Sequence, residues 1–359
     1  MNRRELLCTP LAALGRATGK PPAYLSAYAQ LYASNPRAAA LEWFRKARFG
    51  LFIHYGIYAQ LGEEAWAQLT SKTPVAEYAK LARTFKAEKF DADFIADLAV
   101  AAGMRYINIT TKHHDGFCLF RSRHTGFHSL NTPARRDLVA ELVNACNKRS
   151  LGVFFYYSHG REWRHPHGPD NEHWGGRARP EYNPRETSYA YDGAHDLQKY
   201  VDFVAAQVTE LLTNYGPVAG IWLDGIAVPL SGDRYKFHCQ DLYDLIHRLR
   251  PHALVSYKQG LLGTEDFLAP ERRAVPVSPG KPLEICDTLQ ERHWAWVKDS
   301  RHLTADQAMT ALEAAARNRA NLLLNTGPLA DGSIHPEDVA TLRAMGERIR
   351  RHGFPGDPA

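Results

Sequence analysis

Nowhere in this chain do about eighteen apolar residues run together, the length a bilayer-spanning helix needs, which argues against a membrane protein of the helical kind. Cysteine is scarce as well. Cys8, Cys118, Cys146, Cys239 and Cys286 are odd in number and without CxxC spacing, so neither a disulfide framework nor a zinc knuckle is expected, and the thiols are expected to be buried. A strong excess of one charge is also missing. Lys and Arg total 44 against 39 Asp and Glu, and the resulting +5 is scattered, with no basic helix or aromatic-basic stripe to suggest a nucleic-acid partner. Repeats, low-complexity tracts and linkers are equally lacking. A chain of 359 residues with 45 % hydrophobic content can therefore bury one large core, and residues 31–353 are expected to form it, with 1–30 as an N-terminal extension and 354–359 as a tail.

The N-terminus has one feature of its own. Asn2-Arg3-Arg4-Glu5-Leu6-Leu7 followed by Leu11-Ala12-Ala13-Leu14 has the look of a bacterial twin-arginine export signal, interrupted by Pro10 and Arg16. Two readings stand side by side, a degenerate signal for a periplasmic or secreted protein and a plain terminus of a cytoplasmic one.

Short β-type runs recur with helical stretches between them. Phe49–His54, Arg105–Thr111, Gly152–Ser158, Val218–Asp224, Ala253–Tyr257, Leu283–Asp287 and Asn321–Asn325 are rich in branched and aromatic residues, and the alternation with helices predicts a parallel sheet. Asp93–Ala102 is apolar at helical spacing, Thr304 can cap Ala305–Arg317, and Pro336 suits the first turn of His335–Arg351 before Gly353. The expected fold is a (β/α)8-like TIM barrel without a C-terminal β-sandwich. Between Tyr257 and Leu283 no helix or strand is convincing, so the barrel is expected to be irregular in its second half. From Gly160 to Gly193 runs a long stretch crowded with His, Trp, Pro, Gly and Tyr, expected to be a loop packed over the site.

Polar residues gather where the strands end. His54 closes the first run, Lys112-His113-His114-Asp115 the second, Tyr156-Tyr157-Ser158 the third, Asp224 the fourth and Lys258-Gln259 the fifth. Parallel strands share a C-terminal rim, and barrel enzymes keep their chemistry there. Asp224 ends the apolar run Gly220-Ile221-Trp222-Leu223 and is the candidate nucleophile. Trp222, two residues earlier, shares its face and serves either as core or as a platform for the apolar side of a sugar. The Glu63-Glu64-Ala65-Trp66 cluster beyond His54 offers further sugar contacts. The strand-end histidines could be drawn as a metal site with Asp224, but a sequential pair on an extended strand points to opposite sides, and the pair lacks HxH or HExxH spacing. Hydrogen bonding to sugar hydroxyls suits them better, with one of the two a candidate for the core.

These motifs, with Trp43-Phe44, Asn214-Tyr215-Gly216-Pro217 and Asn321-Leu322-Leu323-Leu324-Asn325-Thr326-Gly327-Pro328, stand in the order found in the α-L-fucosidases of glycoside hydrolase family 29, which the chain resembles from about Trp43 to Arg351. The resemblance implies a retaining exo-glycosidase acting on fucosylated glycans, with no metal or organic cofactor. It assigns the nucleophile to Asp224 and fucose contacts to His54, His113, His114, Tyr157 and Trp222, with Glu64 and Trp66 beside them. The acid/base is divided among three glutamates. Asp266-Phe267-Leu268-Ala269-Pro270-Glu271 looks like the family's Asp-Phe-x-x-Pro-Glu segment, which would make Glu271 the acid/base and favour branched α-1,3/1,4 fucosides. Leu283-Glu284-Ile285-Cys286 is similar to a Trp-Glu-x-Cys segment that would choose Glu284, and Glu265 is the third candidate. Lys258 stands where many members have an arginine, giving a point charge instead of a planar fork. A catalytically silent fucose-binding barrel is the rival from outside the enzymes.

Overall fold

The computed structural model describes residues 19–175, 177–276 and 280–356. The arginine pair near the N-terminus lies outside these residues. Among the described residues seven strands form the centre: β1 (Phe49–Ile53), β2 (Tyr106–Lys112), β3 (Gly152–Ser158), β4 (Gly220–Asp224), β5 (Leu254–Tyr257), β6 (Glu284–Thr288) and β7 (Asn321–Thr326). Their order is β5-β4-β3-β2-β1-β7-β6, and every pair is parallel. The seven runs anticipated above are these seven strands, displaced by no more than two residues at either end.

The sheet curls, as expected of a TIM-like barrel, and the irregular part falls where no strand was legible. Between β5 and β6 the described residues make only single bridges, Ser256 to Phe267, Leu268 to Leu283 and Glu271 to Cys286. The run from Phe267 to Glu271 thus touches both edge strands without being a strand itself. It carries Pro270, which has no N–H to give to a ladder.

Major helices α1 (Pro36–Ala47), α2 (Ala92–Ala101), α3 (Leu138–Lys148), α4 (Leu197–Asn214), α5 (Cys239–Leu249), α6 (Ala305–Arg317) and α7 (Pro336–His352) accompany the strands. Their starts are fixed by side chains that satisfy otherwise orphaned N–H groups: Asp91, Asp137 and Asp196 cap α2, α3 and α4, and Thr304 with Gln307 forms a capping box on α6.

Two cores result from the strand period of two. Leu51, Ile53, Ile107, Ile109, Val153, Phe155, Tyr157, Ile221 and Leu223 face the helices, while Phe52, Tyr106, Phe154, Tyr156, Trp222 and Leu323 face the interior. Trp43 and Phe44 of α1 pack onto Tyr106 and Phe154, closing the end at which the strands begin. The opposite end stays open and carries the polar residues. Cys118, Cys146, Cys239 and Cys286 are buried free thiols, as expected of four of the five.

Candidate active site

A cavity of about 460 Å³ opens at the C-terminal ends of the strands and is lined by His54, Trp66, His113, His114, Trp222, Asp224, Lys258 and Glu271 among others. Eight of the residues singled out in the sequence thus meet in one place.

Asp224 is held on every side. Its Oδ2 accepts from the Tyr156 hydroxyl at 2.6 Å, its Oδ1 accepts from the Gly225 N–H at 2.6 Å, and Lys258 Nζ lies 3.3 Å from Oδ1. Burial alone would push the carboxyl up. Lys258 and the two donors outweigh it, so Asp224 is held well below the usual carboxylate range and stays ionised. The turn after it requires glycine: Gly225 has φ +88°, and a Cβ there would lie 2.9 Å from the backbone of Gly160 and Arg161.

The histidines are neutral and oriented. Asn325 Nδ2 donates to Trp294 O at 2.8 Å and to Thr288 at 3.0 Å, so its Oδ1 is the acceptor for His54 Nδ1–H at 2.6 Å. Ser158 spends its hydroxyl proton on Arg161 O at 2.8 Å, which makes His114 Nδ1 the donor to Ser158 Oγ at 2.5 Å. Both rings therefore keep Nε2 as an acceptor, and that of His114 lies 4.0 Å from Asp224 Oδ2. Burial, reinforced by His113, pushes His54 and His114 well down, and burial pushes His113 to about 3. His113 stacks on Tyr156 at 5.5 Å with 6° between the rings, and its Nδ1 has no protein partner.

Here the strand-alternation argument used for the histidines gives way. The sheet register shifts between Thr110 and Lys112, and the strand stops at Lys112, so His113 and His114 follow turn geometry and both line the cavity. Neither is a core histidine.

Tyr157 needs a second correction. It pairs with Leu223 on the outer face, donates its hydroxyl to Gln207 of α4 at 2.7 Å and lies under Lys112, away from the cavity. Tyr156 takes the expected position, because it pairs with Trp222 and its ring packs on that indole at 5.6 Å. Strand parity relative to Asp224 was a signal sufficient to find it.

The glutamates separate clearly. Glu271 lines the cavity and forms an ion pair with Lys258, which thereby links it to Asp224. Glu284 lies beneath the floor, accepting from Trp222 Nε1 at 3.0 Å and from the Tyr106 hydroxyl at 2.5 Å, and burial raises it to about 7. Glu265 accepts from three successive loop N–H groups, of Leu261, Leu262 and Gly263, and from Tyr243, bracing its own loop. Glu64 does similar work, accepting from the N–H groups of Trp294 and Ala295, and so holds Trp294 at 5.3 Å from His54. Glu64 shapes the cavity without lining it.

Lys258 completes the centre. It has φ +49°, a left-handed conformation costing an ordinary side chain about 1–2 kcal/mol, and its Nζ lies 5.0 Å from the centre of the Trp222 ring. Attraction to Asp224 and Glu271 overcomes burial and keeps the ammonium charged.

The long loop after β3 contributes unevenly. Arg161 lines the cavity, and Trp163 packs against His114 and Trp66 at 5.3 and 5.6 Å. Tyr182 instead donates to Thr73 O at 2.9 Å and fastens the loop to the segment beyond Trp66. Arg161, Trp294 and Arg273 line the cavity from irregular segments that have no periodicity to expose them.

Comparison with known proteins agrees with this geometry. The family model described as alpha-L-fucosidase matches residues 21–354. A putative alpha-L-fucosidase of Caenorhabditis elegans is 28 % identical over 324 residues, covering 82 % of this chain and 61 % of its own length. Human plasma alpha-L-fucosidase is 26 % identical over 340 residues, covering 87 % and 68 %. The chain thus spans less than two thirds of the nematode relative and about two thirds of the human one. Among solved structures, alpha-L-fucosidase isoenzyme 1 from Paenibacillus thiaminolyticus superposes with a TM-score of 0.79 at 33 % identity, covering 90 % of this chain and 78 % of that one. AlfC from Lactobacillus casei, in complex with alpha-L-fucose product, gives 0.76 at 28 % identity, covering 87 % and 98 %.

Proposed function

The chain belongs to the α-L-fucosidase family, and from that premise we propose that it is a retaining exo-glycosidase releasing terminal α-L-fucose from fucosylated glycans, with Asp224 as nucleophile and Glu271 as acid/base. The observation that carries the proposal is the cavity itself, where an ionised, immobilised carboxylate faces a second, accessible carboxyl group across one lysine. The run from Phe267 to Glu271 then takes the place of an eighth strand and delivers Glu271 to the rim.

In the first step, which requires Glu271 to have taken a proton from solvent in place of its ion pair with Lys258, an Asp224 oxygen forms a bond to the anomeric carbon as the glycosidic C–O bond breaks, and the departing oxygen takes that proton. In the second, water gives a proton to Glu271 and its oxygen displaces Asp224, returning fucose with its original configuration. Esterification of Asp224 removes one of the two carboxylate partners of Lys258. Its charge is then left to Glu271, where the second step needs a carboxylate. The Nε2 acceptors of His54 and His114 suit sugar hydroxyls, and the Trp222 and Trp294 rings suit the apolar ring face and methyl group.

Glu284 supports the site from below. Its carboxyl is engaged by Trp222 and Tyr106, and the indole that it fixes is a wall of the cavity. The test is proton NMR of the first sugar released from an aryl α-L-fucoside. Retention predicts α-L-fucose before mutarotation; β-L-fucose appearing first would overturn the double displacement, and absence of turnover would overturn the activity.

A further inference from the structure

We infer that the mouth of the cavity receives fucosides whose aglycone carries an anionic group, a sulfate ester or a carboxylate. The inference rests on the fucosidase reading and adds a substrate class to it. Three cations, Arg161, Lys258 and Arg273, line the cavity against two carboxylates, Asp224 and Glu271. Lys258 is engaged by both carboxylates, which leaves two guanidinium groups on walls built by different loops.

A third arginine stands beside the first. Arg161 Nε donates to Arg177 O at 3.0 Å, and the two guanidinium carbons lie 4.9 and 5.0 Å from the centre of the Trp66 ring. Among the described residues neither Arg161, Arg177 nor Arg273 has an ion-pair partner, while the rim acids Asp287 and Glu64 are paired with Arg272 and His293. A guanidinium held over the Trp66 ring by cation–π attraction can keep its terminal N–H donors for an anion, in the fork that matches a carboxylate or sulfate. A neutral sugar on a neutral aglycone uses none of this charge.

The test begins with 4-nitrophenyl α-L-fucoside, a neutral substrate that reports the fucosidase activity alone. kcat/KM is then compared for α-fucosyl-N-acetylglucosamine, the same disaccharide bearing a 6-O-sulfate, and α-fucosyl-glucuronic acid, each at low and high salt. At low salt at least one anionic substrate should be cleaved about tenfold more efficiently than the neutral disaccharide, through a lower KM, since a charge-assisted hydrogen bond is of that size. The advantage should shrink as salt screens it, fall in Arg273→Gln and in Arg161→Gln, vanish in the double variant and persist in part in Arg273→Lys, and an advantage unchanged in the double variant overturns the inference. Which anionic arm gains identifies sulfate or carboxylate. Equal or slower cleavage of both anionic substrates, with the nitrophenyl fucoside still turned over, overturns the inference and leaves the fucosidase standing; no turnover of the nitrophenyl fucoside overturns both.

Discussion

At the scale of single residues, adjacent side chains differ in role because a strand sends them to opposite faces. Tyr156 donates to Asp224 Oδ2, whereas Tyr157 donates to Gln207 on the outer side. Tyr156→Phe should lower kcat about tenfold or more, the worth of one hydrogen bond to a charged group, while Tyr157→Phe leaves kcat intact and costs about 1 kcal/mol of stability. Parallel steady-state kinetics and urea denaturation of the two variants check this, and equal kinetic losses would contradict it. Glu284 gives a second contrast. Between its ordinary value of 4.5 and about 7, the folded chain keeps a proton that the unfolded chain releases, so this residue's contribution to stability falls as pH rises through that window. Glu284→Gln has no such proton and can still accept from Trp222 and donate to the Tyr106 oxygen. Its unfolding free energy should vary less with pH across that window than wild type, with turnover kept within about tenfold, whereas a loss of about a thousandfold would move the acid/base role to Glu284. What a residue type and its strand position imply was legible in Asp224 and Trp222. The bracing roles of Glu64 and Glu265 were not, because each depends on loop N–H groups that come together only in three dimensions.

At the scale of elements, periodicity located the strands, and cap residues located the helix starts, since both are local consequences of side-chain chemistry. Thr304 and Pro336 mark the starts of α6 and α7 in the folded chain as they do in the sequence, with Gln307 completing the box on α6. The run between β5 and β6 had no such signature: it holds its place through single bridges and loop-spanning side chains. The register shift in β2 was equally hidden, and it is what turns His113 and His114 into the cavity together. The turn after β4 carries a test of its own. Gly225→Ala would force a left-handed φ on a residue with a Cβ and press it against Gly160 and Arg161, so the variant should lose about 2 kcal/mol or more in urea denaturation, together with activity. Unchanged stability would contradict the close packing of this turn on the loop after β3.

At the scale of the whole molecule, the barrel separates two tasks. The end at which the strands begin is sealed by Trp43 and Phe44 of α1, and the interior above it is filled by Phe52, Tyr106, Phe154 and Trp222. Only the far end is left to polar groups, where the ionised Asp224 meets neutral histidines, one shared lysine and an accessible glutamate. The rim position of Asp224 followed from the apolar strand that it ends, whereas Glu271, which reaches the cavity from the irregular run, had no strand pattern behind it and stood as one of three glutamates put forward by resemblance alone. The central claim, that Asp224 forms the bond to the anomeric carbon, is tested most directly by hydrolysis of an aryl α-L-fucoside by Asp224→Gly with and without azide. The account predicts activity lowered by about a thousandfold or more without azide and rescue with it, yielding β-L-fucosyl azide by a single displacement in the space the carboxylate vacated. Wild-type turnover by the variant without azide, or an azide product of α configuration, would contradict it.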